Sequence, residues 1–150
     1  MWTDQNGIMG VGYEGTDVEA FLQGLVTWDV KVLVDVRLNA ISRKKGFSKR
    51  ALTENLSGVG IEYLHLPALG NPKENREGFA SPEASESNPS HARYKELLRS
   101  EPAEDALARL TELALQKRIV VLCFEAAERC CHRRFILEAV KLRIDELAMA

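Results

Sequence analysis

Short apolar, often β-branched runs alternate with stretches of helical periodicity along this chain, and that alternation most narrows its fold. "IMGVGY" (Ile8–Tyr13), "KVLVDVR" (Lys31–Arg37), "IEYLHLP" (Ile61–Pro67) and "RIVVLCF" (Arg118–Phe124) read as strands. Between the first two lies "EGTDVEAFLQGLVTWDV". There Thr16-x-x-Glu19 has capping-box spacing, and Phe21, Leu22, Leu25 and Trp28 recur at helical intervals. "SKRALTENLSGVG" predicts a shorter helix closed by Gly58 or Gly60. "HARYKELLRSE" and "AEDALARLTELALQK" predict two more, parted at Pro102, and "CCHRRFILEAVKLRIDEL" (Cys130–Leu147) a closing one. Strands that alternate with helices pair in parallel and carry the helices on the sheet faces. The predicted fold is a Rossmann-like three-layer α/β domain with a mainly parallel sheet of about four or more strands.

A chain of 150 residues is expected to form a single domain over 1–150. Hydrophobic residues at 45% and charged residues at 28% fit a soluble globular protein. No apolar run is long enough to span a bilayer, and no basic, apolar leader opens the chain, so a cytoplasmic protein without a membrane partner is expected. Three cysteines, two of them adjacent, make a poor disulfide framework and fit a reducing compartment. The formal charge of −2 argues against bulk attraction to nucleic acid while leaving room for a local basic patch. From Ala68 to about His91 the pattern breaks into a polar, Ser-rich stretch, predicted as a long loop or lid at 68–90. Nothing in these patterns sets the oligomeric state.

In parallel α/β sheets ligands bind beyond the carboxyl ends of the strands. That rule selects Tyr13 and Glu14, Asp35 to Arg37, His65, and Cys123 to Glu125. Structural alternatives stand beside each: Asp35 salt-bridging Arg37 or capping a turn, Glu14 capping the next helix, His65 packing at a strand end. The closing helix adds Cys131, His132 and Arg133. A thiol at a helix start beside His132 and Arg133 is expected to have a lowered pKa, because free N–H groups and a neighbouring cation favour thiolate. The competing reading makes Cys131 a small buried hydrophobe and His132 a packing residue. His132 shares a face with Ile136 and Ala139, and Arg133 with Leu137 and Val140, so both point inward, whereas Arg134 lies with Glu138 and Lys141 on the wet side.

Cys123, Cys130, Cys131 and His132 could number a ligand set, yet their spacing matches no zinc pattern; no metal and no cofactor are expected. "CFEAAER" has the Cys-x5-Arg spacing with which tyrosine phosphatases wrap phosphate around a thiolate, and "VLVDVR" looks like a rhodanese signature. No glycine opens that loop, however, and Glu125 and Glu128 repel phosphate. "SRKKGFSKR" (Ser42–Arg50) packs five cations around Gly46 and Phe47 ahead of a helix start at Ser48, which suits an anion. A solvated charged face explains such a run equally well. One aromatic is a poor stacking platform, so nucleic-acid binding ranks second.

Taken in order, "GYEG" (Gly12–Gly15), "FL" (Phe21-Leu22), "LVDVR" (Leu33–Arg37), "SRKKGFSK" (Ser42–Lys49), "GIEYLHLPALGNPK" (Gly60–Lys73), "VVLCFE" (Val120–Glu125) and "CHRR" (Cys131–Arg134) give a chain that resembles the bacterial domain-of-unknown-function family 488. The resemblance covers most of the chain and implies a compact α/β domain rather than a particular substrate. It puts weight on Asp35, Arg37, Ser42, Arg43, Cys123, Glu125, Cys131, His132 and Arg133. Ala40 stands where the family usually has proline, and Ala127-Glu128 replace an Asp-Pro.

The leading expectation is a cysteine-dependent hydrolase or transferase acting on a small anionic or nucleotide-like substrate. Cys131 serves as nucleophile or redox thiol, His132 shuttles a proton, and Glu125 or Asp35 orients it. Arg37, Arg43 and Arg133 hold the anion, with Ser42, Lys49, Tyr13 and Glu14 around it. The alternatives are a non-catalytic nucleic-acid or phospho-ligand module using residues 42–50, a rhodanese- or phosphatase-like enzyme using Cys123, and a structural subunit.

Overall fold

The computed structural model describes residues 5–72, 75, 89–123 and 132–149. Among these residues four parallel strands form one sheet: β1 (Gly7–Gly12), β2 (Val32–Asp35), β3 (Glu62–His65) and β4 (Arg118–Cys123), in the order β1-β4-β2-β3. Five helices among the described residues flank them: α1 (Val18–Thr27), α2 (Lys49–Ser57), α3 (Pro89–Leu97), α4 (Glu101–Gln116) and α5 (Arg133–Met149). This is the three-layer α/β arrangement that the strand–helix alternation predicts. Among the described residues no helix is long and apolar enough to cross a membrane.

Local sequence sets the helix starts. Asp17, not Thr16, caps α1, its carboxylate accepting from Ala20 N at 2.8 Å. Ser100 caps α4 through Ala103 N, with Pro102 in the first turn, where its missing N–H costs nothing. Pro102 therefore helps open α4, as well as separating it from α3.

The sheet sorts side chains with a period of two. From β2, Val32, Val34 and Val36 join one core cluster with Ile119, Val121 and Cys123 of β4, under α3, α4 and α5. Leu33, with Val120 and Leu122, joins the other cluster under α1 and α2. Register places Asp35 beside Leu122 on one side and His65 on the other, while Gly12 lies beside Cys123. The carboxyl ends of all four strands thus form one row.

Most of the predicted 68–90 loop lies outside the described residues. Its described parts are tightly held: Pro67–Leu69 form a 3-10 turn, and Leu69 O accepts from the buried Tyr94 hydroxyl at 2.6 Å. Asn75 Nδ2 donates to Asn71 Oδ1 and to Ser90 O, both at 2.9 Å, linking the first residues of the loop to the start of α3. A Cβ on Gly70 would come within 2.5 Å of Leu38 Cα, which is backbone and cannot swing aside. Gly70→Ala is therefore expected to cost about 1–3 kcal/mol, as overpacking does, measured as a lower urea midpoint at unchanged slope.

Candidate functional site

At the end of β2 the Asp35 carboxylate is fully buried and receives four hydrogen bonds. Arg37 supplies three of them, from its backbone N (3.0 Å), Nε (2.9 Å) and Nη2 (2.7 Å). The fourth comes from the Tyr63 hydroxyl at 2.6 Å. Arg37 Nη1 turns the other way, donating to Phe47 O at 2.7 Å and Tyr13 OH at 3.2 Å. Four of the five guanidinium N–H groups are thereby committed within the protein. Burial alone would lower the Arg37 pKa, but the hydrogen bonds and charge of Asp35 outweigh it and hold it above its ordinary value. Burial first, and then Asp35, also raise the Tyr63 phenol. This arrangement matches the structural alternative for Asp35, a salt bridge to Arg37.

The basic segment hangs on that pair. Phe47 is fully buried, stacked on Tyr13 at 4.6 Å and edge-on to Phe21 at 5.2 Å. Gly46 makes the turn before it with φ +92°, pressed against Val18. Lys44 folds back, its Nζ donating to Tyr13 O at 3.1 Å, and Ser42 Oγ accepts from Lys44 N. Arg43, Lys45, Lys49 and Arg50 remain exposed, Arg50 3.5 Å from Glu54. Glu14 is exposed as well.

A second constellation lies on the opposite face of the sheet. Cys123 ends β4 at 2% exposure, and its Sγ accepts from Arg133 Nη1 at 2.9 Å. Arg133 is 1% exposed, so the inward direction predicted for it holds. Cys123 is disulfide-bonded, contrary to the poor framework that the cysteine spacing implies. Its partner lies outside the described residues, as do Glu125 and Cys131, the predicted base and nucleophile. α5 itself starts at Arg133, later than the predicted Cys130 or Cys131.

His132, in the turn just before α5, reaches the end of β2 from the α3–α5 side. Its Nε2 lies 3.1 Å from Val36 O, and its ring meets Tyr94 edge-on at 5.2 Å. His65 Nε2 contacts the next carbonyl, Arg37 O, at 2.7 Å. A carbonyl only accepts, so in both contacts the imidazole Nε2 is the donor. The chain end of β2 is thus gripped by one imidazole from each side. Asp35, Arg37, Tyr13, Ser42 and the exposed cations Arg43 and Lys49 belong to the α1/α2 side. Cys123, His132 and Arg133 belong to the α3–α5 side.

Tyr63 was the residue that sequence reading passed over. It sits two positions before His65, and with Asp35 two positions after Leu33 the period-two rule puts both on one face of neighbouring strands. Among the described residues no three His, Cys, Asp or Glu side chains are grouped to hold a metal.

The architecture is that of a parallel α/β protein whose polar side chains gather at the strand carboxyl ends. The chain belongs to the family described as "Domain of unknown function DUF488", which matches residues 17–140. No curated protein and no solved structure matches it.

Removing one partner of a buried pair leaves the other charge uncompensated. Asp35→Asn is expected to cost about 3–5 kcal/mol, and Tyr63→Phe only about 2 kcal/mol, in chemical denaturation. Similar small losses for both would show that the pair is not the anchor of this site. A separate pH dependence follows from His91, which packs edge-on to Phe135 at 5.1 Å. Burial, then the charges of Arg134 and Lys95, lower its pKa below 6.5. The unfolded chain therefore takes up a proton near 6.5 that the folded chain refuses. Stability from this group is complete above that pH and is lost as pH falls below it. His91→Leu is expected to flatten the acid limb of stability against pH.

Proposed function

We propose that the protein is a thiol-dependent enzyme acting on a small anionic, nucleotide-like substrate over the row of strand carboxyl ends. The observation that carries this reading is the contact of His132 with Val36 O, which joins the start of α5 to the end of β2. In this reading Cys131 is the nucleophile, His132 moves protons, and Glu125 assists it. Asp35 and Arg37, held by each other, by the two tyrosines and by Phe47 O, position the loop instead of reacting. The exposed Arg43 and Lys49, held in place by buried Phe47, attract the anion.

Thermal shift of the reduced protein against inorganic phosphate and a panel of nucleoside mono- and diphosphates tests the binding half. A melting-temperature rise with at least one of them is expected, weakened roughly tenfold in apparent affinity by Arg43→Ala with Lys49→Ala, a loss of about 1.4 kcal/mol. Cys131→Ser should keep that binding and lose any covalent adduct or turnover. No shift across the panel would overturn the reading.

The exposure of Arg43, Lys45, Lys49 and Arg50 favours a second reading, a nucleic-acid or phospho-ligand module without catalysis. Its signature is affinity that falls steeply with salt and vanishes on charge reversal at these positions.

A further inference from the structure

Cys123 ends β4, an inner strand, and faces the α3–α5 layer out of contact with solvent. Two independent facts meet at its sulfur: it is disulfide-bonded, and it accepts a hydrogen bond from Arg133 Nη1 at 2.9 Å. Arg133 is 1% exposed and keeps its charge at every ordinary pH. Sulfur in a disulfide is neutral and only a weak acceptor, so a guanidinium gains little from it. A thiolate at the same place carries a full negative charge, and the contact becomes a charge-assisted bond in a region of low polarity. The arrangement therefore suits the reduced, ionised sulfur better than the bonded one.

We infer that Cys123 is a redox-responsive site, whose disulfide is readily reduced to a thiolate held by Arg133. The reductant class is a dithiol. Its thiolate attacks the sulfur bonded to Cys123, so that the sulfur facing Arg133 is the one that leaves. The S–S bond breaks, and its electron pair leaves on Cys123 Sγ, where the Arg133 cation stabilises it. The second thiol of the reductant then resolves the mixed disulfide. Two electrons pass to the protein, and the dithiol becomes a disulfide. Of its two protons one ends on the partner thiol, and the other goes to solvent. A leaving thiolate of low pKa also departs faster, so the same cation aids both the equilibrium and the rate. The inference is independent of anion binding at Arg43 and Lys49, and either can fail without the other.

The test is a redox titration of the full chain in dithiothreitol buffers, quenched by alkylation and read by mass at Cys123. Arg133→Met is expected to shift the equilibrium about tenfold toward the disulfide, or about 30 mV for this two-electron couple. Arg133→Lys should restore most of that shift. Should Arg133→Met fail to fold, a chain carrying Cys130→Ser and Cys131→Ser leaves Cys123 as its one thiol. Its rate of reaction with iodoacetamide against pH is expected to have a midpoint below the value of about 8.5 for a free cysteine. A midpoint at or above that value, a midpoint potential unmoved by Arg133→Met, or a Cys123 found reduced in every buffer would each overturn the inference.

Discussion

The fully buried carboxylate of Asp35, closed by Arg37 and Tyr63, is the interaction around which the rest of this end of the molecule is arranged. Taking two charges out of water costs several kcal/mol per ion, and only good geometry with every lone pair occupied offsets it. Here the carboxylate accepts four hydrogen bonds, and the guanidinium spends its remaining reach on Tyr13 and Phe47 O. The pair thus ties four segments together: the ends of β1 and β2, strand β3, and the basic segment before α2. Its contribution is to specify position more than to add stability, because buried ion pairs gain little net free energy once desolvation is counted.

The layered fold was legible because short apolar, β-branched runs and helical spacing are local properties of a sequence. Strand order was not. Nothing local says that β4 slots between β1 and β2, so the row formed by Gly12, Cys123, Asp35 and His65 emerges only from the register. The basic segment shows a subtler failure. Five cations mark it as a polar run, yet its one aromatic is its most buried residue, and that burial decides where the exposed charges stand. Composition averages over such a segment and hides the residue that fixes it.

Cysteine pairing was illegible for the same reason. Spacing along the chain says little about proximity in space, and Cys123 bonds another sulfur although the pattern looks unsuited to a framework. The inward direction of Arg133, by contrast, followed from helical phase alone, because Arg133 shares a face with Val140, which is fully buried. What phase could not say is that the guanidinium would end on a sulfur.

Side chains alternate strictly along β2. Val34 and Val36 feed one layer, and Leu33 feeds the other along with Asp35, whose carboxylate meets Tyr63 there. Slipping this strand by a single residue would drive a carboxylate among aliphatic side chains and turn valines toward the tyrosines. The charge at its tip therefore acts as a ratchet tooth on the sheet, penalising each misaligned pairing during assembly. Drift in the innermost strands would have to expel an ion from its cage before it could begin.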